Sequence, residues 1–255
     1  MKAIILSAGQ GARLLPLTES RPKCLIRLNG RSVLEWQLRG LASAGVEEAV
    51  VVTGFAAEQV ESALHALVIP GLKVRTLHNP FFAVADNIGS CWAARGEMTG
   101  DFMILNGDTL FEPEVAQRLL AAETAPITIT ISRKPGYDAD DMKVSDAEGV
   151  LQAVGKTLEP GVVTGESIGF LRFSAEGGRR FCETIDAVMR REGGLKRWYL
   201  SVIDEIARTF GDVKVLSIEG LDWGELDYPK DVPPSEALTA RWLDRENSSD
   251  KVFAA

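Results

Sequence analysis

Two glycines and two cationic residues near the start of this sequence have the types and spacing to hold a polyanion. Leu6-Ser7-Ala8-Gly9-Gln10-Gly11-Ala12-Arg13-Leu14 is followed by Arg21-Pro22-Lys23-Cys24-Leu25. Gly9 and Gly11 remove side chains that would keep phosphates off the backbone, and they permit the positive φ angles of a tight loop. Successive N–H groups in such a loop form an anion-binding concavity. Arg13 adds a planar fork of donors and Lys23 a compact point charge. A bare G-x-G is more often a surface turn; Arg13 and Pro22-Lys23 shift the reading to phosphate binding. There is no G-x-x-x-x-G-K-[ST], which excludes a P-loop. The third glycine of a dinucleotide fingerprint would fall at Leu14.

Carboxylates supply the second half of the chemistry. Asp108 ends the run Phe102-Met103-Ile104-Leu105-Asn106-Gly107 and reads either as a turn residue or as a Mg²⁺ ligand, since Mg²⁺ takes one or two carboxylates plus phosphate oxygens. A partner carboxylate is available in Trp223-Gly224-Glu225-Leu226-Asp227. Trp198 and Tyr199 could face an ammonium group whose charge Glu166 and Glu225 balance. The alternative is that both aromatics are core residues at the start of an amphipathic helix. His65 and His78, the only histidines, fall in a helical pattern and at a strand end, and read as structural. A phosphate ester with a second pKa of about 6 is already largely ionised at neutral pH and needs no general base. Alignment and charge neutralisation then carry the reaction.

The first stretch resembles the nucleotidyltransferase signature L-[AS]-A-G-x-G-x-R-[LM] followed by P-K-x-L, found in enzymes that activate sugar phosphates and small alcohol phosphates with an NTP. The resemblance implies that Leu6, Ala8, Gly9, Gly11, Arg13 and Lys23 hold the triphosphate, with Arg13 and Lys23 as the catalytic cations. It also implies that Asn106-Gly107-Asp108 and the W-x-E-[IL]-D ending at Asp227 carry the metal pair, Asp108 and Asp227. Asp141-Met142-Lys143-Val144, Gly165-Glu166-Ser167-Ile168-Gly169-Phe170, Trp198-Tyr199 and Trp223-Gly224-Glu225-Leu226-Asp227 are similar to the phosphocholine and aminoethylphosphonate cytidylyltransferase branch. Asn87-Ile88-Gly89-Ser90 resembles that branch's N-I-x-S, near the base. By this resemblance the nucleotide site also takes in Asn87, Ser90 and Gly107, and the acceptor site Met142, Lys143, Glu166, Trp198, Tyr199 and Glu225; Thr53 and Gly54 join the nucleotide site by their place after a strand. Met142 stands where the choline enzymes place an aromatic, which disfavours choline itself. The implied reaction is transfer of CMP from CTP to a small phosphate or phosphonate acceptor, with Mg²⁺ as cofactor. A sugar-1-phosphate nucleotidyltransferase using UTP, dTTP or GTP, and an NTP-sensing subunit without turnover, are the rival readings.

Composition sets the frame for these groups. The chain has 255 residues, 45% apolar and 25% charged, with a formal net charge of −8. That balance argues against bulk nucleic-acid binding and leaves room for one local cationic pocket. Cys24, Cys91 and Cys182 lie far apart without C-x-x-C spacing, so zinc and disulfides are not expected and a cytoplasmic location is. No signal peptide or membrane-spanning run is read in the sequence, and a homodimer is compatible with it.

The elements that must position the site alternate. Ala3–Leu6 reads as a buried strand; Ser32-Val33-Leu34-Glu35 is a capping box opening a helix to about Gly45. Strands are expected at 48–52, 73–77, 101–105 and 127–131, and helices at 56–67, 87–98 and from Glu112-Pro113. A hairpin around Ala147-Glu148-Gly149, a strand at 167–173, helices at 181–191 and 199–210, and strands at 213–218 and 222–226 follow. This order predicts an α/β fold with a mostly parallel Rossmann-like sheet, helices on both faces and a smaller acceptor-binding lobe; the resemblance names it the nucleotide-diphospho-sugar transferase fold. One domain is expected over 1–232, with a nucleotide half at 1–133 and an acceptor half at 134–232, then a C-terminal helix and frayed tail at 233–255. Ligands bind beyond the carboxyl ends of strands in such sheets. The glycine loop, Thr53-Gly54, Asn79 with Asp86-Asn87, and Asn106-Gly107-Asp108 all fall there.

Overall fold

The apolar run Ala3–Leu6 becomes the strand around which the sheet is built. The structure, a computed structural model, describes residues 1–253, with side chains through residue 248. In chain order the elements are β1 (Lys2–Leu6), β2 (Arg27–Leu28), β3 (Arg31–Ser32), α1 (Val33–Ser43), β4 (Glu48–Thr53), α2 (Ala57–His65), β5 (Lys73–His78), α3 (Asn87–Ala93), β6 (Phe102–Asn106) and β7 (Thr109–Phe111). Then come α4 (Pro113–Ala121), β8 (Ile127–Ser132), β9 (Lys143–Ala147), β10 (Val150–Gly155), β11 (Gly165–Phe173), α5 (Ala175–Met189), α6 (Tyr199–Phe210), β12 (Val213–Ser217), β13 (Trp223–Glu225) and α7 (Val232–Phe253).

The main sheet has nine strands in the order β5-β4-β1-β6-β11-β8-β12-β10-β9. From β5 to β6 every pair is parallel, as the βα alternation of the first half dictates. Beyond β6 the direction mixes. β11 runs antiparallel between β6 and β8, β12 is parallel to β8, and the β9–β10 hairpin closes the far edge. The two halves of the chain thus share one sheet. Glu148 (φ 51°) and Gly149 (φ 74°) make the two-residue turn of that hairpin, both in the left-handed region that matches strand twist.

Alternation along the parallel strands fixes two cores. Ile4, Val52 and Ile104 point to the face covered by α3, α5 and α6, while Ile5, Val51 and Leu105 point to the face covered by α1 and α4. Ser32 accepts from Glu35 N at 3.1 Å and caps α1. α5 starts six residues before the sequence places it, because Ser174 caps it by accepting from Gly177 N at 3.2 Å. α7 packs on α1 and the β7–β13 ribbon through Trp242, whose ring meets Trp36 edge-on at 5.9 Å. The helix expected after residue 232 therefore extends through Phe253, and only 254–255 of the expected tail lie outside the described residues. Among the described residues no helix is long and apolar enough to cross a membrane.

Candidate active site

Close backbone contacts shape the glycine loop. Ser7 N donates to Val52 O at 3.0 Å and Phe55 N to Ala8 O at 2.9 Å, which lash the loop to the end of β4. Gly11 is left-handed at φ 78°, and a Cβ there would sit 3.0 Å from Lys23 Cβ and 3.2 Å from Lys23 Cδ. The glycine therefore lets the lysine stem run beside the loop. Gly107 is required in the same way: a Cβ would lie 2.5 Å from Leu6 O.

The carboxylates are brought together by a small ladder. β7 and β13 pair antiparallel with Glu225 opposite Thr109, and Leu226 N donates to Asp108 O at 3.2 Å. Asp231 Oδ2 accepts from Asp227 N at 2.9 Å and Tyr228 N at 2.7 Å, holding the turn that carries Asp227. Lys23 Nζ lies 2.5 Å from Asp108 Oδ2 and 2.9 Å from Asp227 Oδ1, and Arg13 Nη2 lies 2.8 Å from Asp227 Oδ2. Burial works against the Lys23 charge, but Asp108 and Asp227 outweigh it and lift its pKa well above the usual lysine range. Burial likewise opposes ionisation of Asp227, yet Lys23 and Arg13 bring its pKa down. Asp108 Oδ1 is buried with no hydrogen-bond partner. Two hard oxygen ligands that converge on one cation, with one acceptor still free, suit a Mg²⁺ ion whose other ligands are phosphate oxygens and water. No cluster of three or more His, Cys, Asp or Glu forms a closed metal cage among the described residues.

A cleft of about 230 Å³ opens beyond the strand ends. Leu6, Ala8, Gly9, Gly11, Lys23, Asn87, Ser90, Gly107 and Asp108 line it, as the sequence places them. Thr53 and Gly54 do not. Thr53 is fully buried, and a Cβ on Gly54 would lie 2.5 Å from Ala8 O, so both support the loop from behind. Arg13 stands outside the cleft lining, at its mouth, held by Asp227 and by Tyr228, whose hydroxyl accepts from Arg13 Nη1 at 3.2 Å. Ser7, Cys24, Phe82 and Ala85 also line the cleft. Their types carry no phosphate or base signal, and only the fold places them there. Asn79, Asp86 and Asn106, legible in the sequence only as strand-end punctuation, line it too.

The residues expected around an acceptor separate into two kinds. Glu166 is buried, with its carboxylate 2.7 Å from Lys134 Nζ, which also lies 2.8 Å from Asp141. Burial pushes the Glu166 pKa up to about 7 against the pull of Lys134. The Glu225 pKa is also raised, by burial and then by Asp108 and Asp227. Trp198 is 40% exposed, and Lys156 Nζ stands 4.8 Å from its ring centroid. Tyr199 is a correction: it is fully buried, its ring meeting Phe181 edge-on at 6.3 Å, so it is a core residue and not a cage wall. Lys143 is also corrected. Its ammonium donates to the carbonyls of Asp138 and Lys156 and ties loops together. Met142 packs partly buried against the core, and its carbonyl accepts from Ser167 N at 2.8 Å.

Tyr228, Asp140 and Lys156 join the two sides of the site, and the sequence does not reveal them. Tyr228 OH donates to Asp140 Oδ2 at 2.8 Å, and Lys156 Nζ lies 3.7 Å from Asp140 Oδ1.

This chain is similar to several known proteins. The MobA-like NTP transferase domain family matches residues 3–198. A CMP-5'-(3-aminopropyl)phosphonate synthase of Streptomyces rubellomurinus is 32% identical over 91% of this chain, which spans 37% of that relative's length. A CTP:phosphoglutamine cytidylyltransferase of Campylobacter jejuni is 25% identical over 91% of this chain and 98% of its own. Among solved structures, CTP:phosphocholine cytidylyltransferase from Streptococcus pneumoniae superposes with a TM-score of 0.74 at 20% identity, covering 93% of this chain and 98% of its own. The inositol-1-phosphate CTP transferase from T. maritima superposes with a TM-score of 0.79 at 21% identity, covering 94% of each chain. These two likenesses concern the fold.

Proposed function

The chain belongs to the MobA-like NTP transferase domain family, and from that premise we propose that it transfers CMP from CTP to a small phosphate or phosphonate acceptor that carries an amine, releasing pyrophosphate. The observation that carries this reading is Lys23 Nζ set between Asp108 and Asp227 at the mouth of a glycine loop, with Asp108 Oδ1 unpartnered. The named relatives that act on phosphonate and phosphoglutamine support the base and the acceptor class.

In this mechanism the backbone N–H groups between Gly9 and Gly11 hold the triphosphate, and Lys23 neutralises charge on the reacting α-phosphate. Arg13, at the mouth, turns from Asp227 to the leaving pyrophosphate. Asp108 and Asp227 would hold Mg²⁺, which when bound supplies electrostatic activation of the α-phosphate and a template for the attacking oxygen. The acceptor oxygen is already ionised and attacks in line, so no residue needs to act as base. Glu166 and Glu225 offer carboxyl oxygens to the acceptor's amine. Three free thiols support a cytoplasmic location for the enzyme. The experiment is a pyrophosphate-release screen with Mg²⁺, testing four NTPs against phosphocholine, phosphoethanolamine, aminoethylphosphonate and several sugar 1-phosphates. CTP with an amine-bearing acceptor is expected to be fastest. A neutral sugar 1-phosphate with UTP, dTTP or GTP as the best pair would overturn the proposal.

A further inference from the structure

The cleft has two chemically different ends. One is built from the glycine loop, Lys23 and Asp108 and takes the phosphates in the reading above. The other comes from the segment after β5, with Asn79, Phe82, Ala85, Asp86, Asn87 and Ser90. Phe82 and Ala85 provide apolar surface against which a base can lie.

Most polar groups at this end already have partners. Asn79 Nδ2 donates to Ser90 Oγ at 3.1 Å, and Asn79 Oδ1 accepts from Phe81 N at 2.9 Å. Asn87 Oδ1 accepts from Tyr199 N at 2.9 Å. The unpartnered acceptors Ser7 Oγ and Asn106 Oδ1 sit at the ends of β1 and β6, beside Gly107 on the phosphate side. Asp86 differs from all of these. Its N–H donates to Leu195 O at 2.8 Å and its carbonyl accepts from Gly89 N at 2.9 Å, so its backbone is fixed. Its carboxylate lines the cleft and makes no hydrogen bond or ion pair among the described residues. Burial pushes its pKa up, and the nearby Lys196 and Lys156 act against that rise. Asp86 is exposed at the edge of the cleft, so its carboxylate is open to a donor on a bound ligand.

We infer that Asp86 reads the base: its carboxylate accepts a hydrogen bond from the exocyclic N4 amine of cytosine and so favours CTP over UTP. This rests on the cytidylyltransferase reading of the same site. Cytosine presents a donor where uracil presents the O4 acceptor. UTP would set two acceptors against each other, which is discrimination by repulsion as well as by attraction. Adenine N6 is also a donor, so the inference concerns cytosine against uracil.

The test compares wild type, Asp86→Asn and Asp86→Ala by kcat/KM for CTP and for UTP at one saturating acceptor, and by calorimetric binding of CTP and UTP without acceptor. Wild type is expected to prefer CTP. The amide of Asp86→Asn can turn its Nδ2 to uracil O4, so the CTP:UTP ratio should fall at least tenfold with UTP turnover rising in absolute terms. A poorly folded variant cannot produce that rise. Asp86→Ala should lose CTP affinity without gaining UTP. A strong wild-type CTP preference that survives both substitutions, or a change confined to acceptor KM, overturns the role of Asp86 and leaves the cytidylyltransferase reading standing. A wild type without CTP preference overturns that reading itself.

Discussion

Thr109 and Glu225 face each other across the short β7–β13 ladder. That register delivers Asp108 and Asp227, at the ends of the two strands, to the single ammonium of Lys23. The ladder is therefore the device that makes a site from residues far apart in sequence. Asp108→Asn keeps side-chain volume and removes one converging charge. Turnover at saturating Mg²⁺ should fall roughly 100-fold or more with the fold intact by circular dichroism. Activity near wild type would take Asp108 out of the metal pair.

Lys23 has a structural and a chemical role that can be separated. Without Mg²⁺ it is the counter-ion for two carboxylates, and removing one partner of a buried pair costs about 3–5 kcal/mol. Lys23→Met should therefore lower Tm strongly in EDTA and recover part of the loss when Mg²⁺ is added. If its charge is better matched to the transition state than to bound CTP, kcat falls along with kcat/KM. A change in KM alone would make Lys23 a plain binding residue, and a Tm insensitive to Mg²⁺ would contradict the shared-cation geometry.

The parts of this site that were legible in the sequence are those whose residue type is itself the signal. Gly9, Gly11, Arg13 and Lys23 announce anion binding, and Asp108 after a strand announces a strand-end carboxylate. Tyr228, Asp140, Lys134 and Lys156 act only through spatial neighbours, so nothing local marks them. Tyr199 shows the converse: an aromatic beside Trp198 reads as a cage until the helix places its ring against Phe181. The first turns of α5 were hidden by Gly177 and Gly178, which carry low helix propensity. The fold needs them because a Cβ on Gly177 would lie 1.7 Å from Pro126 O, and one on Gly178 2.5 Å from the Phe102 ring. The parallel half of the sheet followed from βα alternation; the antiparallel insertion of β11 did not, since an apolar run such as Ile168–Phe173 has no readable direction.

Tyr199→Ala is expected to act on stability and not on acceptor choice. A fully buried aromatic replaced by alanine costs about 3–5 kcal/mol. Thermal unfolding should show the loss, and the ranking of acceptors measured below the melting range should be unchanged. A stable Tyr199→Ala enzyme with altered acceptor ranking would return the residue to the acceptor pocket.

Glu166 should give stability a pH dependence. Its folded-state pKa of about 7 lies above the ordinary 4.5. Between those values the folded protein holds a proton that the unfolded chain has released, so stability falls as pH rises. The contribution is complete below about 4.5 and is lost as pH climbs through about 7, on the order of 3 kcal/mol in all. Glu166→Gln cannot ionise. Its Tm relative to wild type should therefore improve from pH 5 to pH 8. Parallel Tm curves for the two proteins would show that Lys134 keeps Glu166 ionised throughout.

The last prediction concerns which amine the acceptor carries. A quaternary ammonium is best held over an open aromatic face, because it has no N–H to donate. Here the exposed face of Trp198 already has Lys156 Nζ 4.8 Å from its centroid. A primary amine has another option, since it can donate to Glu166 or Glu225, and Met142 adds no second ring. Wild type should therefore prefer phosphoethanolamine or aminoethylphosphonate to phosphocholine. Lys156→Met removes the resident cation and frees the ring. A partly exposed cation–π contact is worth about 1 kcal/mol, so kcat/KM for phosphocholine should rise roughly fivefold while the primary-amine acceptors change little. Lys156 also pairs with Asp140, so Asp140→Asn serves as the control that disturbs that pair without clearing the ring. If phosphocholine is already the best wild-type acceptor, or Asp140→Asn gives the same gain as Lys156→Met, the occupied face of Trp198 is not what selects the amine.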